Sequence, residues 1–203
     1  MPATTVFIVD DDPAIRDALT LMIEQVGIAV EAFDSAEAFL AGCQTEGCGC
    51  VIIDMRMPGM NGLQLQEELS SRGVLLPIIF LTGHGDIPMS VRAIKAGAVD
   101  FLTKPITREQ LLLAVRAAIR EDEKLLALTA SNQQAVSRLA RLTSRELEVM
   151  ALAVQGYPNK GIARHLGISH RTVEIHKARI MDKTGATNLL DLARIAQEAG
   201  LNR

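Results

Sequence analysis

Carboxylates at the ends of two apolar runs are the residues in this sequence best placed to do chemistry. Asp10 and Asp11 directly follow the run VFIV, and Asp54 directly follows the run VII. Short β-branched runs of this kind predict buried strands of a parallel sheet, and α/β proteins place reactive groups at the carboxyl ends of such strands. Clustered carboxylates repel one another unless a cation neutralises them, and their hard oxygen atoms suit magnesium. The three acids therefore predict a Mg²⁺ site at one edge of a sheet.

Strand and helix patterns alternate around these acids. The first run, for example, is followed by apolar residues at the 3.6-residue spacing of a helix, which ends at Gly27. Connections of this length force neighbouring strands to be parallel, and right-handed crossovers put helices on both faces of the sheet. We therefore predict an α/β fold with a doubly wound, five-stranded parallel sheet of the flavodoxin-like order 2-1-3-4-5. The predicted strands are 4–9, 28–33, 51–53, 77–81 and 99–102, with a fourth helix at about 88–96.

Two further polar residues end strands at the same predicted edge of the sheet. Thr82 follows the fourth apolar run and Lys104 follows the fifth, so the predicted strand order brings both near Asp10, Asp11 and Asp54. Phosphoryl transfer needs in-line positioning and charge neutralisation more than covalent chemistry, and a carboxylate nucleophile, a metal ion and a lysine can supply both. The set of five predicts a site that accepts a phosphoryl group.

This set of residues resembles the receiver domain of two-component response regulators over residues 5 to about 120. The segment TGHGDIPMSVRAIKAGAVDFLTKP, which ends at Pro105, is most similar to the FixJ branch of that family. The resemblance implies a usually cis Lys104–Pro105 peptide. It also implies that Asp54 is the phosphoacceptor, that Mg²⁺ is held by Asp10, Asp11, Asp54 and the backbone carbonyl of Arg56, and that the switch residues are Thr82, Phe101 and Lys104.

The composition excludes several classes of protein. With 48% apolar and 22% charged residues, the chain is ordinary globular material, and it contains neither an apolar stretch long enough to span a membrane nor a secretory signal region. We expect a cytoplasmic protein that does not bind membranes. Cys43, Cys48 and Cys50 lack zinc-site spacing and are expected to be ordinary small apolar residues.

Charge is distributed unevenly along the chain. Residues 1–137 contain 18 acidic and 10 basic side chains, a net charge of −8, whereas residues 138–203 contain 6 acidic and 11 basic side chains, a net charge of +5. A basic tail of this kind points to nucleic acid as a partner, although a solvated surface also explains it.

A connector joins the acidic and basic parts. Thr107 can cap a helix with an apolar stripe, but the charged run from Glu121 to Lys124 interrupts that stripe, so we expect the first domain to end near Arg120. Pro and Gly are absent between Pro105 and Gly156, which favours a helical linker. The predicted domains are 1–120, a receiver; 121–137, a helical linker; and 138–203, an all-α helix-turn-helix domain.

The tail carries the pattern of a helix-turn-helix. Thr143 and Glu146 form a capping-box pattern, a short helix from Asn159 ends at Gly167, and Ser169 caps the helix that follows. On that third helix the spacing separates an inward stripe from an outward face. The stripe is predicted as Val173, His176, Lys177, Ile180 and Thr184, and the outward face as Arg171, Glu174, Ile175, Ala178 and Asp182.

This tail resembles the LuxR-type DNA-binding domain of NarL/FixJ regulators over residues 142 to 199. LTSRELEV, NKGIARHLGIS and TVEIHKARIMDK fall on its signature positions, whereas Pro158 replaces a usual capping Ser or Thr, and Gly161 replaces a usual acid at a cost of about 1 kcal/mol. The last helix would supply a dimer contact through the face of Leu189, Leu192, Ala193 and Ala196. The expected DNA contacts are Asn159, Lys160, Arg171, Thr172, Glu174, Ile175, Lys177, Ala178 and Arg179.

Both resemblances together predict a response regulator and not an enzyme. Phosphorylation of Asp54 by a sensor histidine kinase would promote homodimerisation and sequence-specific binding to promoter DNA, with RNA polymerase as a further partner and activation of transcription as the expected result. Two alternatives remain open. An aspartyl-phosphate phosphatase would want a second acid where Arg56 stands, and a ligand-sensing LuxR-type regulator would need an internal apolar pocket in place of the acidic edge.

Overall fold

Five apolar segments form the predicted parallel sheet. The strands are β1 (Thr4–Val9), β2 (Ala29–Phe33), β3 (Cys48–Asp54), β4 (Ile78–Thr82) and β5 (Asp100–Thr103). Their order is β2-β1-β3-β4-β5 with parallel pairing throughout, which confirms the predicted order 2-1-3-4-5. The structure, a computed structural model, describes residues 4–43, 48–83 and 92–201 and divides into two compact units, Met1–Leu126 and Ala127–Arg203.

Helices in the first unit begin where capping residues predict. The Asp12 side chain accepts a hydrogen bond from the Ala14 amide at the start of α1 (Pro13–Glu24), and Ser35 caps α2 (Ala36–Gly42). Asn61 forms a capping box at the start of α3 (Gly62–Ser71). Residues 92–95 are also helical, whereas His84 and residues 88–91 of the predicted fourth helix lie outside the described residues.

Two apolar layers cover the two faces of the sheet. Alternate residues of β1 point to opposite sides, so Phe7 packs in one cluster with Phe39 of α2, and Ile8 packs in the other with Leu19 of α1. Because β3 and β4 are buried on both faces, the backbone at their carboxyl ends is held in place by packing from both sides.

Helix α4 (Arg108–Leu139) begins after Thr107, which exchanges capping hydrogen bonds with Gln110, and it continues through the whole of the predicted linker. The charged run from Glu121 to Lys124 lies inside this helix and does not end it. Asp122 is buried and accepts a hydrogen bond from the Gly49 amide at 2.8 Å. The structure therefore groups Asp122 with the first compact unit, two residues beyond the predicted limit at residue 120.

The second unit is all-helical. Its described part contains the end of α4 and the helices α5 (Ser144–Val154), α6 (Asn159–Leu166), α7 (His170–Thr184) and α8 (Leu189–Glu198). The capping box of Thr143 with Glu146 is confirmed, Gly167 ends α6 with a φ of 65°, and Pro158 offers no side-chain cap to that helix. None of the described helices is both long and apolar enough to cross a membrane.

Only part of the dimer face predicted on the last helix is open to a partner, since Leu189 is 38% exposed whereas two of its other residues are buried, and the dimer contact itself stays a prediction. Leu192 and Ala196 of α8 are buried in the apolar core of their own unit, against residues such as Ile195. The amphipathic pattern of this helix serves intramolecular packing, which the periodicity alone does not distinguish from a dimer contact. Leu190, which the predicted face omits, is instead 82% exposed.

Candidate functional site

The carboxyl ends of β1, β3 and β5 bring Asp10, Asp54 and Lys104 into direct contact. The Lys104 Nζ atom lies 2.8 Å from Asp10 Oδ2 and 3.0 Å from Asp54 Oδ2. Asp10 follows β1, Asp54 is the last residue of β3, and Lys104 follows β5. One ammonium group thus neutralises two largely buried carboxylates, an arrangement that is strong where the local dielectric is low.

The chain around Asp10 fixes the position of its carboxylate. Asp10 is fully buried, and its Oδ1 atom accepts a hydrogen bond from the Asp12 amide at 2.9 Å. Its backbone carbonyl accepts a hydrogen bond from the Arg16 guanidinium at 2.7 Å. Sequence reasoning missed Arg16, because its position one turn into α1 gives no sign that the side chain returns to the strand end. Asp10 therefore keeps one orientation.

Burial and charge act in opposite directions on the ionisation of this site. Burial raises the pKa of Asp54, as does the charge of Asp10, and hydrogen bonds from Lys104 and the Arg56 amide only partly offset the increase. Burial lowers the pKa of Lys104, but its hydrogen bonds and charge interactions with Asp10 and Asp54 together raise it. Lys104 stays protonated, and an added cation would favour the ionised form of Asp54.

Asp11 completes the predicted acidic group. Carboxylate oxygens of Asp10, Asp11 and Asp54 all lie within 4.8 Å of one another, with Asp11 exposed and the other two buried. Oxygen donors of this number and charge fit a hard divalent cation such as magnesium. The residues that the sequence placed at one edge of the sheet are thus near enough to share one ion.

The predicted switch residues occupy the neighbouring strands. Thr82 is buried, and its hydroxyl donates a hydrogen bond to the Gly83 carbonyl at 3.1 Å. The Thr82 carbonyl accepts from the Lys104 amide at 2.8 Å, so the backbones of these two residues are directly joined. Phe101 on β5 is 39% exposed. The structure brings Thr82 close to the backbone of Lys104 and leaves Phe101 in contact with solvent.

In the second unit, α7 presents the two faces that its spacing predicts. Val173, Ile180 and Thr184 are buried, and His176 and Lys177 are partly buried. The opposite face is open to solvent, and Glu174 on it lies 3.5 Å from His170. The exposed residues of α7 include all five predicted outward residues, namely Arg171, Glu174, Ile175, Ala178 and Asp182.

The start of α6 gathers further groups that can bind an anion. Lys177 of α7 donates a hydrogen bond to the Asn159 side chain at 3.0 Å, and Lys160 is exposed beside it. Asn159 and Lys160 are the first residues of α6, where free backbone amides and the helix dipole favour negative charge. Arg179 is exposed, and the Thr172 hydroxyl lies 2.8 Å from Ser169 Oγ, so Thr172 takes part in the cap of α7.

An ion pair that the sequence did not reveal joins the partly exposed Lys183 of α7 to the buried Glu146 of α5. Lys183, near the end of α7, donates to Glu146 Oε2 at 2.7 Å, and the same oxygen accepts from the Thr143 amide at 2.8 Å. These two interactions hold the pKa of Glu146 at about 2, well below its usual range. The capping-box pattern identified Glu146, but nothing in a linear pattern pairs it with a lysine 37 positions away.

Comparison with known proteins agrees with both halves of this description. The model of the response regulator receiver domain matches residues 6–116, and the model of bacterial regulatory proteins of the luxR family matches residues 140–196. The chain is 45% identical over 199 residues to the response regulator protein TodT of Pseudomonas putida, covering 96% of this chain and 86% of that protein. It is 40% identical over 196 residues to the transcriptional regulatory protein FixJ of Bradyrhizobium diazoefficiens, covering 97% and 96%.

Solved structures of response regulators are also similar to this chain over nearly its whole length. The response regulator StyR, solved at low resolution, has a TM-score of 0.85 at 40% identity and covers 97% of this chain and 99% of its own. Full-length FixJ from B. japonicum has a TM-score of 0.60 at 39% identity and covers 100% of both chains. The matched family is one of transcriptional response regulators and not of enzymes, in agreement with the prediction. The chain belongs to the NarL/FixJ family of response regulators, which join a receiver domain to a LuxR-type DNA-binding domain and regulate transcription.

Proposed function

We propose that a sensor histidine kinase phosphorylates Asp54 and that this phosphorylation promotes binding of the protein to promoter DNA. The observation that carries the proposal is the contact of Lys104 with both Asp54 and Asp10 at the carboxyl edge of the sheet. A carboxylate held beside an ammonium group at a strand end is placed to attack phosphorus while the lysine binds a phosphoryl oxygen.

The acids of the site would hold the metal ion. Asp10, Asp11 and Asp54 supply carboxylate oxygens, and we assign the fourth protein ligand to the backbone carbonyl of Arg56. The chemistry that Mg²⁺ supplies when bound is neutralisation of the charge on the carboxylates and on the phosphoryl oxygens. Lys104 already neutralises part of the charge on Asp10 and Asp54, and it remains available to the phosphoryl group.

Mass spectrometry after incubation with a small phosphodonor tests the assignment. We expect one phosphoryl group on wild-type protein with Mg²⁺, and none after chelation or in Asp54→Ala. Asp17→Ala, which removes an exposed acid from α1, is the matched control and should label normally. Labelling of Asp54→Ala at the wild-type level, or labelling that ignores the chelator, would show that another residue is the phosphoacceptor.

Signal transmission would use the switch residues. A phosphoryl group adds about 1.5 to 2 negative charges, which would draw the Thr82 hydroxyl and Lys104 toward it. We propose that Phe101 then turns inward. We also propose that a homodimer forms through the face made by β5 and by the helix predicted at about residues 88–96. The exposure of Phe101 and Ile94, at 39% and 43%, supports this face. Sedimentation with and without a phosphoryl mimic tests the step, and an unchanged monomer fraction would remove it from the mechanism.

DNA recognition is assigned to the outer face of α7. Arginine can pair with guanine, glutamate can accept from cytosine, and Ile175 and Ala178 can touch thymine methyl groups, each good pair being worth about 1 to 3 kcal/mol. The contacts to the phosphate backbone would come from Asn159 and Lys160 at the start of α6, from Thr172 in the first turn of α7, and from Lys177 and Arg179 further along α7. A dimer would place two half-sites about one helical turn apart at the promoter, where RNA polymerase is a proposed partner.

Titration of promoter fragments across salt concentrations separates the two kinds of contact. Glu174→Ala or Ile175→Ala should change which sequence is preferred, whereas Lys177→Ala should weaken binding to all DNA and reduce the salt dependence. Gln197→Ala, which replaces an exposed and uncharged residue of α8, is the control for general effects of substitution in this unit. Unchanged sequence preference in the Glu174 and Ile175 variants would show that the recognition face is misassigned.

A further inference from the structure

The loop between β3 and α3 carries the backbone of the proposed metal site. It leaves the sheet after Asp54 and reaches α3 at Gly62, and Arg56, whose carbonyl we assign to the metal ion, lies near its start. At its first residue the loop is tied to the sheet, because the Met55 amide donates to the Leu81 carbonyl at 2.9 Å. At its last residue, Asn61 forms the capping box of α3.

A glutamate from another helix holds the middle of this loop. The Oε1 atom of Glu37, on the first turn of α2, accepts a hydrogen bond from the Met60 amide at 3.1 Å. Helix α2 is itself anchored, because Ala36 and Phe39 on either side of Glu37 are fully buried in the core cluster that also contains Met57 of the loop. The carboxylate therefore reaches the loop from a helix that packing holds in place.

Gly59 provides a second, independent sign that Glu37 and the loop fit closely. Its φ of +74° is a conformation that residues with a side chain rarely adopt. A Cβ atom added at Gly59 would also lie 2.9 Å from Glu37 Oε1, nearer than such atoms normally approach. The glutamate carboxylate can move, so a methyl group at position 59 would displace it from the Met60 amide.

We propose that Glu37 is a positioning residue for phosphorylation: by holding the loop through the Met60 amide, it keeps the Arg56 carbonyl where the metal ion needs it. The inference rests on the proposed function, since it assumes that metal binding and phosphorylation occur at Asp54. A carbonyl ligand on a loop binds an ion well only if its direction is already set, because ordering it upon binding costs conformational entropy. Glu37 acts through the loop and does not touch the reacting atoms.

Two measurements on unphosphorylated protein test the proposal without relying on phosphorylation. In Glu37→Ala, the Met60 amide should exchange its hydrogen about 3- to 10-fold faster, as expected for the loss of one hydrogen bond, and calorimetry should show Mg²⁺ affinity weakened by a similar factor. Glu37→Gln keeps an oxygen that can accept the bond and should stay within about 2-fold of wild type. Glu67→Ala, which removes an exposed acid from α3, controls for loss of charge alone.

Phosphorylation rates then separate positioning from simple structural damage. With a small phosphodonor, Glu37→Ala should need about 3- to 10-fold more Mg²⁺ for half its maximal rate, while its rate at saturating Mg²⁺ matches wild type. Gly59→Ala should show a shift in Mg²⁺ dependence at least as large, because it displaces the same carboxylate and also strains the backbone at a positive φ. In the double variant Glu37→Ala with Gly59→Ala, the two shifts should not add.

Three outcomes would overturn the proposal. They are Mg²⁺ affinity in Glu37→Ala equal to that of the Glu67→Ala control, a defect in Glu37→Gln as large as in Glu37→Ala, or additive shifts in the double variant. Failure of the proposed function would give a result that differs from these three outcomes. Wild-type protein would then not be labelled at Asp54 under any condition, while Met60 exchange and Mg²⁺ calorimetry would still report on Glu37.

Discussion

Asp122 offers the sharpest test of how the connector helix is joined to the receiver sheet. Its carboxylate is 5% exposed and accepts a hydrogen bond from the amide of Gly49, at the amino end of β3. Gly49 is buried as well, so its amide has no open access to solvent. In Asp122→Ala, the Gly49 amide should therefore lose its partner without gaining another.

The expected loss in the free energy of unfolding follows from the type of hydrogen bond that Asp122 forms. A hydrogen bond to a charged group contributes about 1.5 to 3 kcal/mol, and a buried amide left without a partner adds a penalty, whereas relief of carboxylate burial offsets part of the loss. We expect Asp122→Ala to lower the free energy of unfolding of the first unit by about 2 kcal/mol. That unit comprises Met1–Leu126. At about 2.1 cal/mol/K of unfolding entropy per residue, the loss corresponds to a fall in Tm of about 8 °C.

Thermal unfolding and hydrogen exchange measured on the full chain give the readout. The Gly49 amide should exchange faster in Asp122→Ala, while Asp122→Asn, which keeps an acceptor oxygen, should lose less stability. Glu123→Ala removes the neighbouring exposed acid of the same helix and serves as the control. If Asp122→Ala melted within about 2 °C of Glu123→Ala and Gly49 exchange were unchanged, this account of the helix attachment would be refuted.

The thiol of Cys48 gives a second check on the position of the Asp122 carboxylate. The three cysteines are free, and Cys48 is partly buried. Burial raises the pKa of its thiol to about 11, and a hydrogen bond with Asp122 adds to the increase. Asp122→Ala should lower this pKa while the effect of burial remains, so alkylation of Cys48 at pH 8.5 should become faster. An unchanged alkylation rate would contradict the contact between the two side chains.

The remaining predictions concern three other charged or buried groups. The pKa of Glu146 is held at about 2, below its ordinary value of 4.5, so its stabilisation of the second unit should be complete above about pH 4.5 and should be lost as the pH falls toward 2. Glu146→Gln should reduce this dependence in urea unfolding midpoints, leaving the smaller part due to Asp191, whose pKa is also lowered, and a dependence as large as in wild type would exclude the pair with Lys183. Lys104→Ala should lower the free energy of unfolding of the metal-free first unit by about 3 kcal/mol, and added Mg²⁺ should recover part of it; equal stability with and without Lys104 would contradict the geometry. Burial raises the pKa of Cys50 to about 12, so iodoacetamide at pH 8 should leave this thiol unmodified in folded protein and label it only after unfolding.

Several features of this protein were predictable because they depend on residues close together in the chain. Asp12, Asn61 and Thr143 are polar residues that stand just before helices, and each caps its helix, as the capping-box pattern predicts for Thr143. The strand order followed from connection length and handedness, which are general rules for parallel sheets. That order alone placed Asp10 and Asp54 at one edge, and the spacing along α7 separated its buried stripe from its exposed face.

Other features followed only from the tertiary packing. The partners of Asp122 and Glu146 are 73 and 37 residues away, and the partner of Glu37 is 23 residues away. Charged runs and capping patterns look the same in sequence whether the side chain meets water or a buried amide, so the run containing Asp122 by itself predicts the end of a domain. The periodicity of α8 had the same ambiguity, since an apolar face fits a core as well as a dimer. Local spacing determined which elements form and which way their faces turn, whereas the pairing of distant polar groups was decided by how those elements pack, because a hydrogen bond depends on distances of about 3 Å that no linear pattern encodes.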